Sequence, residues 1–137
     1  METHFFTRRD FLRHLTLAGA AALLPLMPSA WAATGQYVPA GRAAAFPPGQ
    51  FHAVTLPGGH RVYVRRLPGR RPAFLALSAA CTHKGCPVAW RAADRKFHCP
   101  CHGGQFDATG RAIAGPPPRP LAALPTKVRN GILLIQA

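Results

Sequence analysis

Acidic residues are scarce in this chain of 137: four Asp and Glu stand against 17 Lys and Arg, a formal charge of +13. After residue 33 only Asp94 and Asp107 remain. An excess of that size is not balanced within the molecule, and it says more about partners than about fold. The length excludes a second domain of ordinary size. No segment after residue 33 repeats apolar residues at helical spacing, which excludes a helical bundle and leaves short strands between turns. Long apolar runs are missing too. The best, Leu15 to Ala33, is broken by Gly19, Pro25 and Pro28 and reaches only the minimum length for a membrane span. Cysteine is limited to four, and none forms a C-x-x-C redox pair. The segment Cys99-Pro100-Cys101-His102 is one residue short of the C-x-x-C-H that attaches a c-type haem.

All four cysteines fall in one stretch, CTHKGC at 81–86 and CPCHGG at 99–104. Cys81 and His83 form C-x-H, Cys99 and His102 form C-x-x-H, and Cys86 and Cys101 are left over, one in each half. The pattern is two similar loops, each offering one thiolate and one imidazole. A [2Fe-2S] cluster with two Cys on one iron and two His on the other asks for that set. Zinc also accepts Cys₂His₂, and a zinc-bearing interaction module is the non-redox alternative. Zinc sites, however, usually group like ligands as C-x₂₋₄-C with H-x₃₋₅-H, and C-x-H is tight for a single tetrahedral ion.

These residues resemble the Rieske iron–sulfur proteins, in the disulfide-containing branch of cytochrome bc and b6f complexes and their relatives. The resemblance covers about the last ninety residues. It implies one [2Fe-2S] cluster, with Cys81 and Cys99 on one iron, His83 and His102 on the solvent-facing iron, and Cys86 and Cys101 joined as a disulfide. It also implies that Gly115-Pro116-Pro117-Pro118-Arg119-Pro120 is the proline loop that covers the cluster, a stiff apolar wall limiting solvent. Two ferric ions, two sulfides and two thiolates sum to zero, so a reduced cluster is negative and its imidazoles grow more basic. Electron uptake is thereby coupled to proton uptake at His83 and His102, and the resemblance gives His102 the contact with a quinol oxygen. Ubiquinol-oxidising members usually read CPCHGS with a tyrosine two residues on; here Gly104 and Phe106 stand at those positions.

In chain order, Thr7-Arg8-Arg9-Asp10-Phe11-Leu12 before the apolar run reads as a twin-arginine signal over residues 1–32. Ala30-Trp31-Ala32 suits cleavage after Ala32, whereas bc complexes typically retain this segment as an anchor. That route carries folded proteins, as a cluster inserted before export requires, and a disulfide belongs in the oxidising periplasm or on the periplasmic side of the membrane. Residues 33–50, with Pro39, Pro47 and Pro48, read as a linker, with an ordered lead-in to the first strand as the alternative. Residues 51–137 form the cluster domain: strands are expected over 51–56, 61–67, 74–80, 89–91, 95–98, 105–107, 121–124, 127–129 and 132–135, with Asn130-Gly131 as a hairpin turn. The class is all-β, a small antiparallel β-sandwich with an inserted cluster-binding lobe. Asp107 is expected to close a turn, and His52, His60 and His98 fall outside the ligand spacing.

Loss of the leader takes Arg8, Arg9, Arg13, Glu2 and Asp10 and leaves 14 basic residues against two acids. An acidic electron acceptor or the anionic membrane surface would be drawn to that charge; export argues against nucleic acid. Three functions compete: the quinol-oxidising Rieske subunit of a cytochrome bc complex with cytochrome b and c-type cytochrome partners, the Rieske subunit of another exported enzyme such as an arsenite-oxidase-like one, and the zinc module. Lys84 stands where members that dock on cytochrome b usually carry an apolar residue.

Overall fold

The computed structural model describes residues 35–69 and 73–137; the proposed signal or anchor over 1–32 lies outside them. Strong turn chemistry sets the strand boundaries. Pro57-Gly58-Gly59 ends one strand and starts the next, with φ of 91° and 83° at the two glycines. Asn130 and Gly131 both have positive φ, 50° and 74°, and Arg129 pairs with Ile132 across them. That is the two-residue hairpin that matches the natural twist of paired strands. The chain runs β1 (Tyr37–Arg42), one 3-10 turn (Ala43–Ala45), β2 (Phe51–Thr55), β3 (Arg61–Leu67), β4 (Ala73–Ser78), β5 (Ala89–Arg91) and β6 (Lys96–His98). It continues through β7 (Gln105–Phe106), β8 (Ala112–Ala114), β9 (Ala123–Leu124), β10 (Thr126–Arg129) and β11 (Ile132–Gln136). The architecture is all-β with antiparallel pairing between neighbouring strands.

The strands form three sheets, ordered β1-β11-β10, β2-β3-β4-β9 and β5-β6-β7-β8. The middle sheet is buried on both faces, and the period of two along its strands assigns each side chain to one core. Val62 and Val64 of β3, with Phe74 and Ala76 of β4, pack against Leu133 and Ile135 of β11. Tyr63 and Leu77, pointing the other way, pack with Val88, Phe97, Phe106 and the cysteines Cys81 and Cys99. The metal-ligand candidates are thus rooted in a core of their own. The Tyr63 hydroxyl ties the middle sheet to the lobe, donating to the Val88 carbonyl and accepting from the Trp90 amide, both at 3.3 Å.

Part of the stretch read as a linker over 33–50 is corrected. Tyr37–Arg42 pair antiparallel with β11, and Ala43 and Phe46 are buried in the first core. Phe46 meets Phe74 edge to face at 6.0 Å. The first strand starts at Tyr37, so the fold begins well before residue 51. Pro39 is tolerated because β1 is an edge strand, where a missing donor breaks no ladder, and the register shifts between Pro39 and Gly41. Only Pro47–Gln50, all exposed, keep the character of a connector. Among the described residues no helix is long and apolar enough to cross a membrane.

Candidate metal centre

The two cysteine loops close by the same pair of hydrogen bonds at the same offsets. In the first, the Cys81 amide donates to the Cys86 carbonyl and the Gly85 amide donates to the Cys81 carbonyl, both at 2.8 Å. In the second, the Cys99 amide donates to the Gly104 carbonyl at 2.8 Å and the Gly103 amide to the Cys99 carbonyl at 3.1 Å. Gly85 and Gly103, each four residues after the leading cysteine, have φ of 73° and 69°. A side chain there would be strained, which is why both loops carry glycine at that step. Tight closure turns each leading cysteine into the core and lifts the histidine beyond it toward the surface.

Of the four side chains expected as ligands, the two cysteines share the lobe's core and the two histidine rings are neighbours. Cys81 and Cys99 are free thiols, 4% and 3% exposed. The rings of His83 and His102 lie 4.9 Å apart between centroids, nearly perpendicular. His102 is exposed, whereas His83 keeps its Nδ1 buried with no hydrogen-bond partner. A buried ring nitrogen without a partner costs free energy unless something binds it. Burial pushes the Cys81 thiol up; the amides of His83 and Lys84 pull against this, and Cys99 alongside raises it further. A thiol held in that way keeps its proton in water and releases it to solvent when a metal cation binds the sulfur. Two thiols, an orphaned nitrogen and a second imidazole fit a [2Fe-2S] cluster by their donor chemistry.

Cys86 and Cys101 are joined in a disulfide with Cα atoms 6.5 Å apart, linking the two loops. The sulfur of Cys99 lies against it, all three sulfurs falling within 4.8 Å of one another. The proline-rich segment is strapped across both loops. Thr82 Oγ1 donates to the Arg119 carbonyl at 2.6 Å, holding it to the first. On the second, the ring of buried Pro117 sits so close to Gly104 that a Cβ there would stand 2.7 Å from its Cγ. Gly115 approaches just as closely, a Cβ at that position meeting the Gly104 Cα at 2.8 Å. These contacts of Thr82, Gly104 and Gly115 escape sequence reasoning because each involves a partner distant in the chain.

Of the remaining candidates, His98 Nε2 lies 2.6 Å from Asp94 Oδ2 and not among the cluster donors. Desolvation pushes the Asp94 carboxyl up, but the His98 hydrogen bond and charge outweigh it and hold it below its ordinary value. Asp107 closes the turn between β7 and β8, as expected: Oδ1 accepts from the Thr109 amide and hydroxyl and from the Arg111 amide. Those bonds together outweigh desolvation and keep this carboxyl low as well.

Residues 36–125 match the Rieske [2Fe-2S] domain, and the chain belongs to that family. The cofactor that goes with it is one Rieske-type [2Fe-2S] cluster. Among solved structures, it is similar to the plasma membrane Rieske protein PetC3 of the cyanobacterium Synechocystis PCC 6803, with 36% identity and a TM-score of 0.58. The match covers 73% of this chain and 99% of that one. A chain of a hyperthermophilic respiratory Complex III matches at 33% identity and TM-score 0.52, over 82% of each chain. A cytochrome b6-f complex iron-sulfur subunit of Synechococcus sp. WH7803 is 41% identical over 87 residues, 56% of this chain and 48% of that subunit. Subunit 1 of the same complex in Nostoc sp. PCC 7120 is 49% identical over 59 residues, 43% of this chain and 33% of its own length. The matches thus span a third to a half of these two relatives.

Proposed function

We propose that the protein is an exported Rieske electron-transfer protein. It carries one electron, with a coupled proton, between a quinol or another donor and a cytochrome or oxidoreductase partner on the periplasmic side of the membrane. The observation that supports this best is the pairing of two buried free thiols with two imidazoles at the surface end of one lobe. Cys81 and Cys99 hold one iron, and His83, through its inward Nδ1, and His102 hold the other. The cluster, when bound, supplies reversible one-electron chemistry. His102, exposed at the tip, takes or releases a proton at the ring nitrogen left free. Pro117, packed on Gly104, excludes water from the side of the second loop. The relatives named as cytochrome b6-f and Complex III components support a cytochrome partner. The twin-arginine motif Arg8-Arg9 and the periplasm-compatible disulfide support export.

Metal and sulfide analysis of natively expressed protein should give two irons and two acid-labile sulfides per chain. Its reduced form should show the low-average g tensor of a nitrogen-ligated cluster. One zinc and no iron would sink the reading and favour the interaction module.

The potential should lie below that of relatives that carry the two hydroxyls. Bonds from such hydroxyls to sulfur favour the reduced, more negative cluster, and with Gly104 and Phe106 neither donor exists. At about 1.4 kcal/mol per donor, or ~59 mV for one electron, two missing donors put the midpoint on the order of 100 mV lower. That suits menaquinol or a dedicated low-potential donor. Phe106→Tyr alone should raise the midpoint by about 60 mV in voltammetry. Gly104→Ser meets the Pro117 ring, so its share of the rise should appear only alongside Pro117→Ala. No rise in either variant would refute the argument.

A further inference from the structure

Beside His83 a hollow of about 660 Å³ is lined by Cys81, Thr82, His83, Lys84, Arg119 and Ala122. Lys84 and Arg119 are exposed and come from different loops, which the Thr82–Arg119 bond holds together. A second hollow of about 430 Å³ shares Ser78, Ala80, Gly85 and Ala122 with the first and adds His60 and Arg61. The two make one groove that shares a floor of small, mostly apolar residues and has basic residues in the lining of each part. Among the described residues no side-chain carboxylate answers these cations: Asp94 is engaged by His98 and Asp107 by its turn.

Resting on the reading of the site as an electron-transfer centre, we infer that this groove is the docking face for an acidic redox protein. Lys84 and Arg119 grip carboxylates of that partner beside His83. A charge pair so close to the tip does two things for a transient complex. It raises the encounter rate by attracting the acidic face over about a Debye length, and it fixes which side of the partner meets the histidines. The apolar floor adds modest burial without the large area of a permanent interface, as a partner that must leave after each electron requires. An apolar quinol pocket is the wrong host for this rim, because two cations stripped of water without a counter-charge cost several kcal/mol.

The full-length protein with its cluster is the material for the test, and two soluble c-type cytochromes, one acidic and one basic, are the probes. Isothermal titration calorimetry at low and at high salt reads binding, independently of any electron transfer. The acidic cytochrome should bind the wild type at low salt and weaken as salt rises. Lys84→Glu with Arg119→Glu should weaken it at least tenfold. Arg42→Glu with Arg129→Glu, an equal change of charge on β1 and β10 of the other sheet, should weaken it less than twofold. Equal losses in both double variants would show an attraction spread over the whole surface and overturn the inference. So would unchanged binding in the tip variant, a preference for the basic cytochrome, or a tip variant that loses binding only to vesicles containing phosphatidylglycerol. Stopped-flow reduction of the same cytochrome tests the electron-transfer reading separately: binding without reduction leaves the docking face standing and removes that partner as an acceptor.

Discussion

Truncating Phe97 to alanine lowers the stability of the domain by about 3–5 kcal/mol, a large part of the 5–15 kcal/mol that folded domains typically hold. Phe97 is fully buried and sits at the middle of β6, between Trp90 on one neighbouring strand and Phe106 on the other. Its ring centroid lies 4.7 Å from Trp90, 4.9 Å from Phe51 and 5.1 Å from Tyr63. These aromatics join the middle sheet to the lobe, and each such pair adds about 0.5–1.5 kcal/mol beyond the area it buries. The cavity left by alanine has the rigid middle sheet on one side, so it closes poorly and the cost falls toward the upper end. Phe97 also precedes Cys99 by two residues on the strand that delivers the second loop, so the site should loosen with the core. Urea titrations followed by circular dichroism and by cluster absorbance measure both effects. Val128→Ala, at a half-exposed position on β10, serves as the control and should change stability by less than about 0.5 kcal/mol. A Phe97→Ala midpoint equal to that of the control would remove this core from the account of the fold.

The parts of the fold legible in the sequence are those fixed by local chemistry. Arg61–Leu67 and Ala89–Arg91 appear where expected, and the other seven strands lie within two residues of their predicted limits, because Pro57-Gly58-Gly59, Thr109-Gly110 and Asn130-Gly131 punctuate them. β1 is hidden by Pro39, which reads as a linker residue and is allowed because this strand lies at an edge. β8, Ala112-Ile113-Ala114, is apolar throughout and shows no alternation. The two-sided burial of the middle sheet was written as Val62-Tyr63-Val64, three consecutive buried residues, but such a run does not say which layers cover it. A metal constrains ligand spacing within a short stretch, so the candidate ligands could be named before the fold; of them, Cys81 and Cys99 are buried free thiols of one core and the His83 and His102 rings are neighbours. The contacts of Gly104 with Pro117, of Gly104 with Gly115, and of Thr82 with Arg119 depend on the path of the chain between them, which no local pattern records.

Replacing both Cys86 and Cys101 by serine should cost the site its cluster before it costs the domain its fold. The bond closes a separation of 15 residues, for which the loss of chain entropy in the unfolded state gives about 3 kcal/mol of stabilisation. Its local consequence is sharper than that figure. Each loop is already closed by its own backbone hydrogen bonds, Cys81 with Cys86 and Gly85 in the first, Cys99 with Gly104 and Gly103 in the second. What the disulfide adds is the link between loops, and the proposed ligands are divided one thiol and one imidazole to each. Without it, the loops keep their shapes and their tips drift apart, linked there through the proline segment by Thr82–Arg119 on one side and the Gly104–Pro117 contact on the other. The three sheets, whose ladders do not involve either cysteine, should stay paired. Iron release to a chelator should therefore accelerate by at least tenfold at urea concentrations where the circular dichroism of the sheets is unchanged. Alkylation of the native protein without reductant, read by mass spectrometry, should leave both positions unlabelled. Two labelled thiols there, or loss of iron only in step with unfolding of the sheets, would show that the bond does not hold the loops together.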